Sequence, residues 1–354
     1  MTTSGSSLVK LKKSLEARGD SAETMRKPAK KWWNWEIDSN WTERGFETTR
    51  YLSLLVKDGK TIRDEQALEK FNRLGGILGF NVESVTRIFA ISNEKLKYSF
   101  EAYHDTLYGK HRANPGIFKR TDWKLKGDLE LRQKFIDELI KTEEKCFLNQ
   151  DPTKPSIIPM LQGSSEEAVW QICQQGFSTV SETDDGFYGK GIYFTSDFQY
   201  ANQYAKKVPA MKSGSKSAIL NSGTGTGANG ILDAETGENG SLKPGRKGDL
   251  KVFLVSLVIP GNAYPATENP YLENGKRNPK GLLGKACNTG YQSHFTLVNA
   301  NNIADAYPIH DSQLLTNPPS KSQNGVNDVI IADGLVVFEA AQALPLFVFY
   351  AKDI

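Results

Sequence analysis

Apolar positions along this chain follow two spacings, one typical of strands and one typical of helices. Near-continuous apolar runs predict buried strands at residues 157–161, 252–259, 335–338 and 346–350. A helical spacing predicts amphipathic helices near residues 96–107 and 128–146, and a further helix over 68–80 that is broken at Gly75-Gly76. Because short strands outnumber helices, we expect an α+β fold of two packed, mostly antiparallel sheets with peripheral helices.

One stretch combines glycines with tyrosines in a way that predicts a ring-binding clamp. Glycines at 189 and 191 allow the backbone to turn, and Ile192-Tyr193-Phe194 has strand character. The residues from Ser196 to Lys206 predict a short helix that returns Tyr204 towards Tyr193. Two tyrosines placed in this way can hold a flat heteroaromatic ring between them, although aromatic residues beside glycine are also common in packed cores.

Five short motifs occur in a fixed order, and each of them alone is weak. They are Leu161-Gln162-Gly163-Ser164, Gly189-Lys190-Gly191-Ile192-Tyr193-Phe194, Pro260-Gly261-Asn262, Gly290-Tyr291-Gln292-Ser293 and Phe338-Glu339-Ala340-Ala341-Gln342-Ala343-Leu344-Pro345. In this order the chain resembles the poly(ADP-ribose) polymerase-like branch of the ADP-ribosyltransferases. The resemblance implies the ADP-ribosyltransferase fold, a catalytic domain over residues 81–354 and NAD as the substrate.

The resemblance also implies roles for individual residues. The backbone of Gly163 would hold the nicotinamide carboxamide, Ser164 would face the adenine-side ribose, and Tyr193 and Tyr204 would stack on the nicotinamide ring. Phe194, next to Tyr193, is included among the NAD-binding residues. Such a site suits cleavage of a bond from ribose to a cationic pyridinium, because the oxocarbenium-like state needs orientation and charge stabilisation more than a strong acid.

Three positions depart from the family's pattern. The family's His-Tyr-Glu triad becomes Gln162, Tyr193 and Gly334, and Ala201 stands where most members carry a serine that donates to the carboxamide. The amide of Gln162 can still donate to a ribose hydroxyl, whereas Gly334 supplies no carboxylate. Asp333 is adjacent, but side chains alternate along a strand, so we expect it to face the other way unless a bulge re-aims it.

These departures favour transfer of a single ADP-ribose unit from NAD to a protein acceptor, with release of nicotinamide. In the family, chain elongation fails without the glutamate that Gly334 replaces. Two other classes stay open. One is an inactive binding module whose tryptophan-rich N-terminus does the binding, and the other is an NAD glycohydrolase, in which water replaces the protein acceptor.

Composition shifts divide the chain into segments. Residues 1–31 read as a flexible basic tail, although nuclear targeting or contact with a polyanion would also suit their charge. Residues 32–80 form a tryptophan-rich N-terminal module, whose tryptophans serve either as packing or as a stacking platform. A Gly/Ser-rich insertion at 208–249 interrupts the catalytic domain. Its glycine pattern at 225–230 resembles a dinucleotide-binding fingerprint but lacks the flanking strand and helix. A low-complexity segment therefore explains the pattern better than a dinucleotide-binding motif does.

Charge and cysteine content narrow the function classes further. With 44 basic and 41 acidic residues the net charge is +3, which is too balanced to argue for nucleic-acid binding and leaves that question uncertain. The three cysteines show no CxxC spacing, so we expect no disulfide framework and no metal site. No apolar run approaches the length of a membrane span or a secretory signal. We therefore expect an intracellular protein, cytoplasmic or nuclear.

Overall fold

A computed structural model describes the chain at residues 31–44, 49–56, 65–118, 121–146, 148, 153–178, 186–208, 250–272, 274–299 and 331–352. Contacts divide it into two compact units, Met1–Ile37 and Asp38–Ile354. In the first unit, residues 31–37 contain a turn and irregular structure, and Trp32, Trp33 and Trp35 are each partly exposed. Every strand and helix considered below belongs to the second unit.

The second unit is built from short strands and a few helices. The strands are β1 (Thr42–Glu43), β2 (Thr49–Val56), β3 (Val85–Asn93), β4 (Ile158–Ser164), β5 (Ile192–Phe194), β6 (Leu250–Val258), β7 (Ala263–Pro265), β8 (Ser293–Asn299), β9 (Ile331–Val337) and β10 (Ala343–Lys352). The α-helices are α1 (Glu65–Leu78), α2 (Glu94–Ala113), α3 (Leu129–Lys145), α4 (Glu166–Gln175) and α5 (Phe198–Tyr204).

The strands form two sheets. In the described residues the order is β1-β2-β3-β10-β6-β4 in the six-stranded sheet and β5-β9-β8-β7 in the four-stranded sheet. Every neighbouring pair is antiparallel except β7 and β8, which are parallel. The predicted α+β class with two mostly antiparallel sheets is confirmed.

Two apolar clusters lie on opposite faces of β9. The main core takes Leu335 and Val337 from one face and joins them to both sheets and to helices α3 and α4. The other face contributes Ala332 and Val336 to a tyrosine-rich cluster. The tyrosines of that cluster are Tyr188, Tyr200, Tyr264 and Tyr291. Strand alternation therefore separates the side chains of β9 into two environments.

Polar residues cap the first turns of three helices. The side chain of Asn93 accepts from the backbone N–H of Leu96 at the start of α2, and Ser165 caps α4 in the same way. The Asp197 carboxylate accepts from the Tyr200 N–H at 2.7 Å and starts α5. Each of these bonds satisfies a backbone donor that has no partner within its own helix.

Helix α1 differs from its prediction, because it continues through Gly75-Gly76. Phe71 and Leu74 are fully buried on its inner face, and that burial outweighs the low helix propensity of glycine. A Cβ on Gly75 would lie 3.0 Å from the ring of Phe80. The glycine therefore allows close packing and does not break the helix.

Residues on both sides of the predicted boundary at residue 80 contribute to the six-stranded sheet. Strand β2 pairs with β3 over its whole length, with Tyr51 opposite Ile91, so residues before 80 complete the same six-stranded sheet. The compact unit accordingly begins at Asp38. The predicted tail, except for Lys31, and the insertion from residue 209 onwards lie outside the described residues. Within the described ranges, no helix combines the length and apolar character that a membrane crossing requires.

Candidate active site

The two sheets meet at a backbone bridge between β4 and β5. The Leu161 N–H donates to the Thr195 carbonyl at 2.7 Å, and the Thr195 N–H donates back at 3.1 Å. This bridge brings Gln162 and Gly163, which follow Leu161 on β4, close to Tyr193 on β5. Two of the sequence motifs thus become neighbours in space.

Helix α5 packs directly against the end of β4. A Cβ on Gly163 would lie 2.1 Å from the carbonyl oxygen of Ala201 and 2.7 Å from the nitrogen of Ala205, so only glycine permits this approach. The next residue, Ser164, accepts at its carbonyl from the Lys206 N–H at 3.0 Å. The structure therefore brings together three residues of the predicted site, namely Gly163, Ser164 and Ala201.

The ring of Tyr193 is held by its own loop. Its hydroxyl donates to the Gly189 carbonyl at 2.8 Å and accepts from the Tyr188 N–H at 2.9 Å. Gly189 has φ of 117°, and a Cβ there would lie 2.7 Å from the ring of Phe338. Glycine is therefore required for the turn that orients Tyr193.

A second tyrosine supports Tyr204. The hydroxyls of Tyr200 and Tyr204 lie 2.8 Å apart, and their rings meet edge to face with centroids at 5.2 Å. Tyr200 is buried, whereas Tyr204 is 43% exposed. Burial raises the pKa of Tyr200, and Tyr204, Tyr188 and Tyr193 raise it further. The two predicted clamp residues therefore both lie near Tyr200, which sequence reasoning missed. Its spacing of four residues from Tyr204 on one helix face was the available signal.

Phe194 does not lie on the same side of β5 as Tyr193. It is 4% exposed and packs edge to face on Phe177, with centroids at 5.2 Å, inside the main core. Alternation along β5 sends adjacent side chains to opposite faces. The expectation that Phe194 contacts NAD is corrected accordingly, and the structure assigns it to the core.

Gly334 and Asp333 follow the ordinary alternation of β9. The pairing with β8 runs through both residues without a register shift, so no bulge re-aims Asp333. The Asp333 carboxylate accepts from the Thr195 hydroxyl at 2.9 Å and from the Ser196 N–H at 2.8 Å. Burial raises the pKa of Asp333, and these hydrogen bonds oppose that shift. Gly334 lies on the other face.

Tyr193 lies on the same face of the four-stranded sheet as Gly334. Val336 is two residues beyond Gly334 on β9, and it pairs directly with Tyr193 on β5. Directly paired residues share a face, as do residues two apart on a strand. Strand β9, which is described in full, therefore places no carboxylate beside Tyr193.

A scan against family models matches residues 81–349 to the poly(ADP-ribose) polymerase catalytic domain. The match covers most of the chain and contains every residue of the site described above. The chain belongs to this family. A comparison with curated proteins gave no match. The two-sheet architecture is thus an ADP-ribosyltransferase fold, and the family supports ADP-ribosyltransferase activity with NAD as the substrate.

Gln162 follows the bridge residue Leu161 on β4, within the matched polymerase-like domain. This residue pairs with Leu254 across β4 and β6, and its side-chain oxygen Oε1 is buried with no hydrogen-bond partner in the described part of the chain. Buried polar atoms are almost always hydrogen-bonded. The side chain of Gln162 therefore has an acceptor available for a donor on a ligand.

His294, on β8 of the polymerase-like domain, supports the loop of Tyr193. It is fully buried, and its Nδ1 donates to the Tyr188 carbonyl at 2.6 Å while its Nε2 accepts from the Asn288 N–H at 3.0 Å. Burial lowers the pKa of His294 to about 4. The ring is therefore neutral, and it secures the loop that holds Tyr193. Sequence reasoning missed this role, because it depends on the register of β8.

The described residues contain no group of three or more His, Cys, Asp or Glu that could hold a metal ion. Cys146 and Cys173 are buried and Cys287 is partly buried, and all three are free thiols. Burial raises the pKa of Cys146 to about 11 and that of Cys287 to about 12. These thiols are therefore protonated and poor nucleophiles at neutral pH.

Proposed function

We propose that this domain transfers a single ADP-ribose unit from NAD to a protein acceptor and releases nicotinamide. The proposal rests on one observation, namely that β9 places no carboxylate on the face beside Tyr193. Gly334 has no side chain there, and Asp333 turns to the opposite face, where it binds Thr195 and Ser196. Since elongation in this family depends on a carboxylate at position 334, a site without one is suited to one transfer per acceptor.

The proposed reaction needs orientation more than acid catalysis. The bond from ribose C1′ to the nicotinamide nitrogen breaks, and its electron pair leaves with nicotinamide, which becomes neutral. A nucleophilic atom of the acceptor bonds to the same carbon and loses its proton to solvent. Holding the two reactants in place lowers the entropic part of the barrier.

We assign the binding of nicotinamide to Gly163, Tyr193 and Tyr204, and the binding of ribose to Gln162 and Ser164. Three features support the assignment. The hydroxyl of Tyr193 is anchored at both Tyr188 and Gly189, so its ring is pre-organised. Tyr204 keeps an exposed face, because 43% of its surface is accessible. The buried oxygen of Gln162 has no partner among the described residues.

The test uses the purified full chain with NAD labelled in its adenosine half. We expect label on the protein itself or on a protein of an added lysate, with one unit per site, and no label with Tyr193→Ala. Tyr98→Ala is the matched control, since Tyr98 is 75% exposed on α2 and contributes nothing to the site. Unfolding curves of both variants show whether a loss of labelling comes from a change in the site or from unfolding of the protein.

Each alternative function has its own signature in this assay. Long polymers would contradict the transfer of single units. Free ADP-ribose without labelled protein would identify an NAD glycohydrolase. A wild-type chain that binds no NAD at millimolar concentration in calorimetry would be a binding module, and the tryptophan-rich segment would then be the place to look for its partner.

We also propose an intracellular location, cytoplasmic or nuclear. The free thiols of Cys146, Cys173 and Cys287 support it, because reducing compartments keep cysteines unpaired. Microscopy of the tagged full chain tests this proposal, and accumulation in the medium would contradict it.

A further inference from the structure

Thr296 on β8 is the residue directly opposite Gly334. The two pair across the sheet, and Thr296 is 1% exposed. Since paired residues share a face, the Thr296 side chain lies on the same face as Gly334, Val336 and Tyr193. A hydroxyl is thus placed next to the position where the family's carboxylate would begin.

The hydroxyl of Thr296 has an unmet hydrogen-bonding capacity. Its Oγ1 is buried and has no partner in the part of the chain that the structure describes. Leaving a buried hydroxyl unpaired is destabilising, so such groups are rare in native proteins. A ligand hydroxyl arriving at this face would satisfy it.

The methyl group of Thr296 limits the space beside Gly334. A Cβ built on Gly334 would lie 3.1 Å from Thr296 Cγ2 and 4.0 Å from the Thr296 carbonyl oxygen, with no other heavy atom within 4 Å. The methyl therefore crowds the first carbon of any side chain placed at position 334. The absence of a side chain at Gly334 therefore leaves room for the methyl group of Thr296.

We propose that the Thr296 hydroxyl binds the 2′-hydroxyl of the nicotinamide-side ribose, at the place where the family uses a carboxylate. The proposal rests on NAD being the substrate of this site. A hydroxyl can donate and accept one hydrogen bond each with the ribose. It stays neutral at working pH, so it orients the sugar but cannot take up the proton of a 2′-hydroxyl for elongation. Thr296 is thus a substrate-positioning residue.

The experiment compares two ligands with three variants of the full chain. The ligands are a carbocyclic NAD analogue, which cannot lose nicotinamide, and the same analogue without the 2′-hydroxyl of its nicotinamide-side ring. Thr296→Val removes the hydroxyl at nearly constant volume, and Thr296→Ser retains it. Ser293→Ala is the matched control, because Ser293 is a buried residue on the same strand whose hydroxyl also has no partner within the described ranges, but it faces the main core.

We expect the wild-type chain to bind the deoxy analogue about fivefold more weakly than the complete one, as for one neutral hydrogen bond. Thr296→Val should bind the complete analogue about fivefold more weakly and no longer distinguish the two. Thr296→Ser and Ser293→Ala should behave as wild type. Equal discrimination by Thr296→Val and wild type, or none by wild type, would overturn the role of Thr296 alone. A wild-type chain that binds neither analogue would overturn the proposed function as well.

A second pair of variants tests the crowding by the methyl group. Gly334→Glu restores a carboxylate but presses its Cβ against Thr296 Cγ2, whereas Thr296→Ser removes that methyl and keeps the hydroxyl. We expect the double variant to form longer ADP-ribose chains, on a denaturing gel, than Gly334→Glu alone. Equal chain lengths would show that Thr296 does not shape this position.

Discussion

Protonation of His294 should remove a large part of the stability of the fold in mild acid. Burial lowers the pKa of this ring from 6.5 to about 4, although the Tyr188 carbonyl and Glu268 partly oppose the shift. Each pKa unit corresponds to about 1.4 kcal/mol, so the shift is equivalent to about 3 kcal/mol. Between pH 6.5 and 4 the unfolded chain binds this proton and the folded chain does not. The free energy of unfolding therefore falls as the pH falls through that window.

The structure also gives the local reason for this loss. A proton on Nε2 would face the Asn288 N–H, which that nitrogen accepts at 3.0 Å, so both groups would become donors. The Phe338 ring, at 4.7 Å between centroids, offers no compensating charge. The bond to Tyr188 supports the loop that holds Tyr193, so the orientation of Tyr193 should be lost together with stability.

Urea unfolding at several pH values between 7 and 4 measures this effect. Carboxylates also titrate in this range, so the contribution of His294 is taken as the difference in the free energy of unfolding between wild type and a variant without this histidine. His294→Gln offers a donor and an acceptor but does not titrate, and wild type should lose about 3 kcal/mol more than this variant on going to pH 4. His111→Gln, at a partly exposed position on α2, is the control variant that removes a histidine outside this buried environment. Parallel curves for wild type and His294→Gln would refute the assignment of a buried neutral ring.

Two further predictions follow from close contacts. Gly163→Ala should destabilise the fold by about 1–3 kcal/mol in urea unfolding and abolish labelling, since its Cβ would lie 2.1 Å from a carbonyl oxygen of α5. The control is Gly76→Ala, whose Cβ would have no atom within 4 Å. This variant should raise the free energy of unfolding by up to about 1 kcal/mol. Arg132→Leu should cost about 3–5 kcal/mol, because Arg132 is 1% exposed and pairs with Glu268 at 2.7 Å. Arg50→Leu, at a surface pair, should cost less than about 1 kcal/mol, and equal losses for the two arginines would contradict this reasoning.

Regular elements with strong periodicity were predictable because their signals are local. Helices α2 and α3 follow from apolar residues at helical spacing, and the polar caps Asn93 and Asp197 mark where helices begin. Helix α1 was harder, because a local rule about Gly75-Gly76 competes with burial of Phe71. That burial depends on packing against β10, where the Phe71 ring lies 5.3 Å from that of Phe347, and it has no local signature in the sequence.

In the candidate site, too, local features were predictable from the sequence, whereas contacts between distant segments were not. Residue types alone determined that position 162 offers an amide, that position 334 offers no side chain, and that tyrosines stand at 193 and 204. The tertiary structure decided which of their neighbours share a face. It turned Phe194 into the core, tied His294 to the loop of Tyr193 and set Thr296 opposite Gly334. The physical reason is that a one-residue change of strand register exchanges the two faces, and register is set by pairing between segments far apart in the chain.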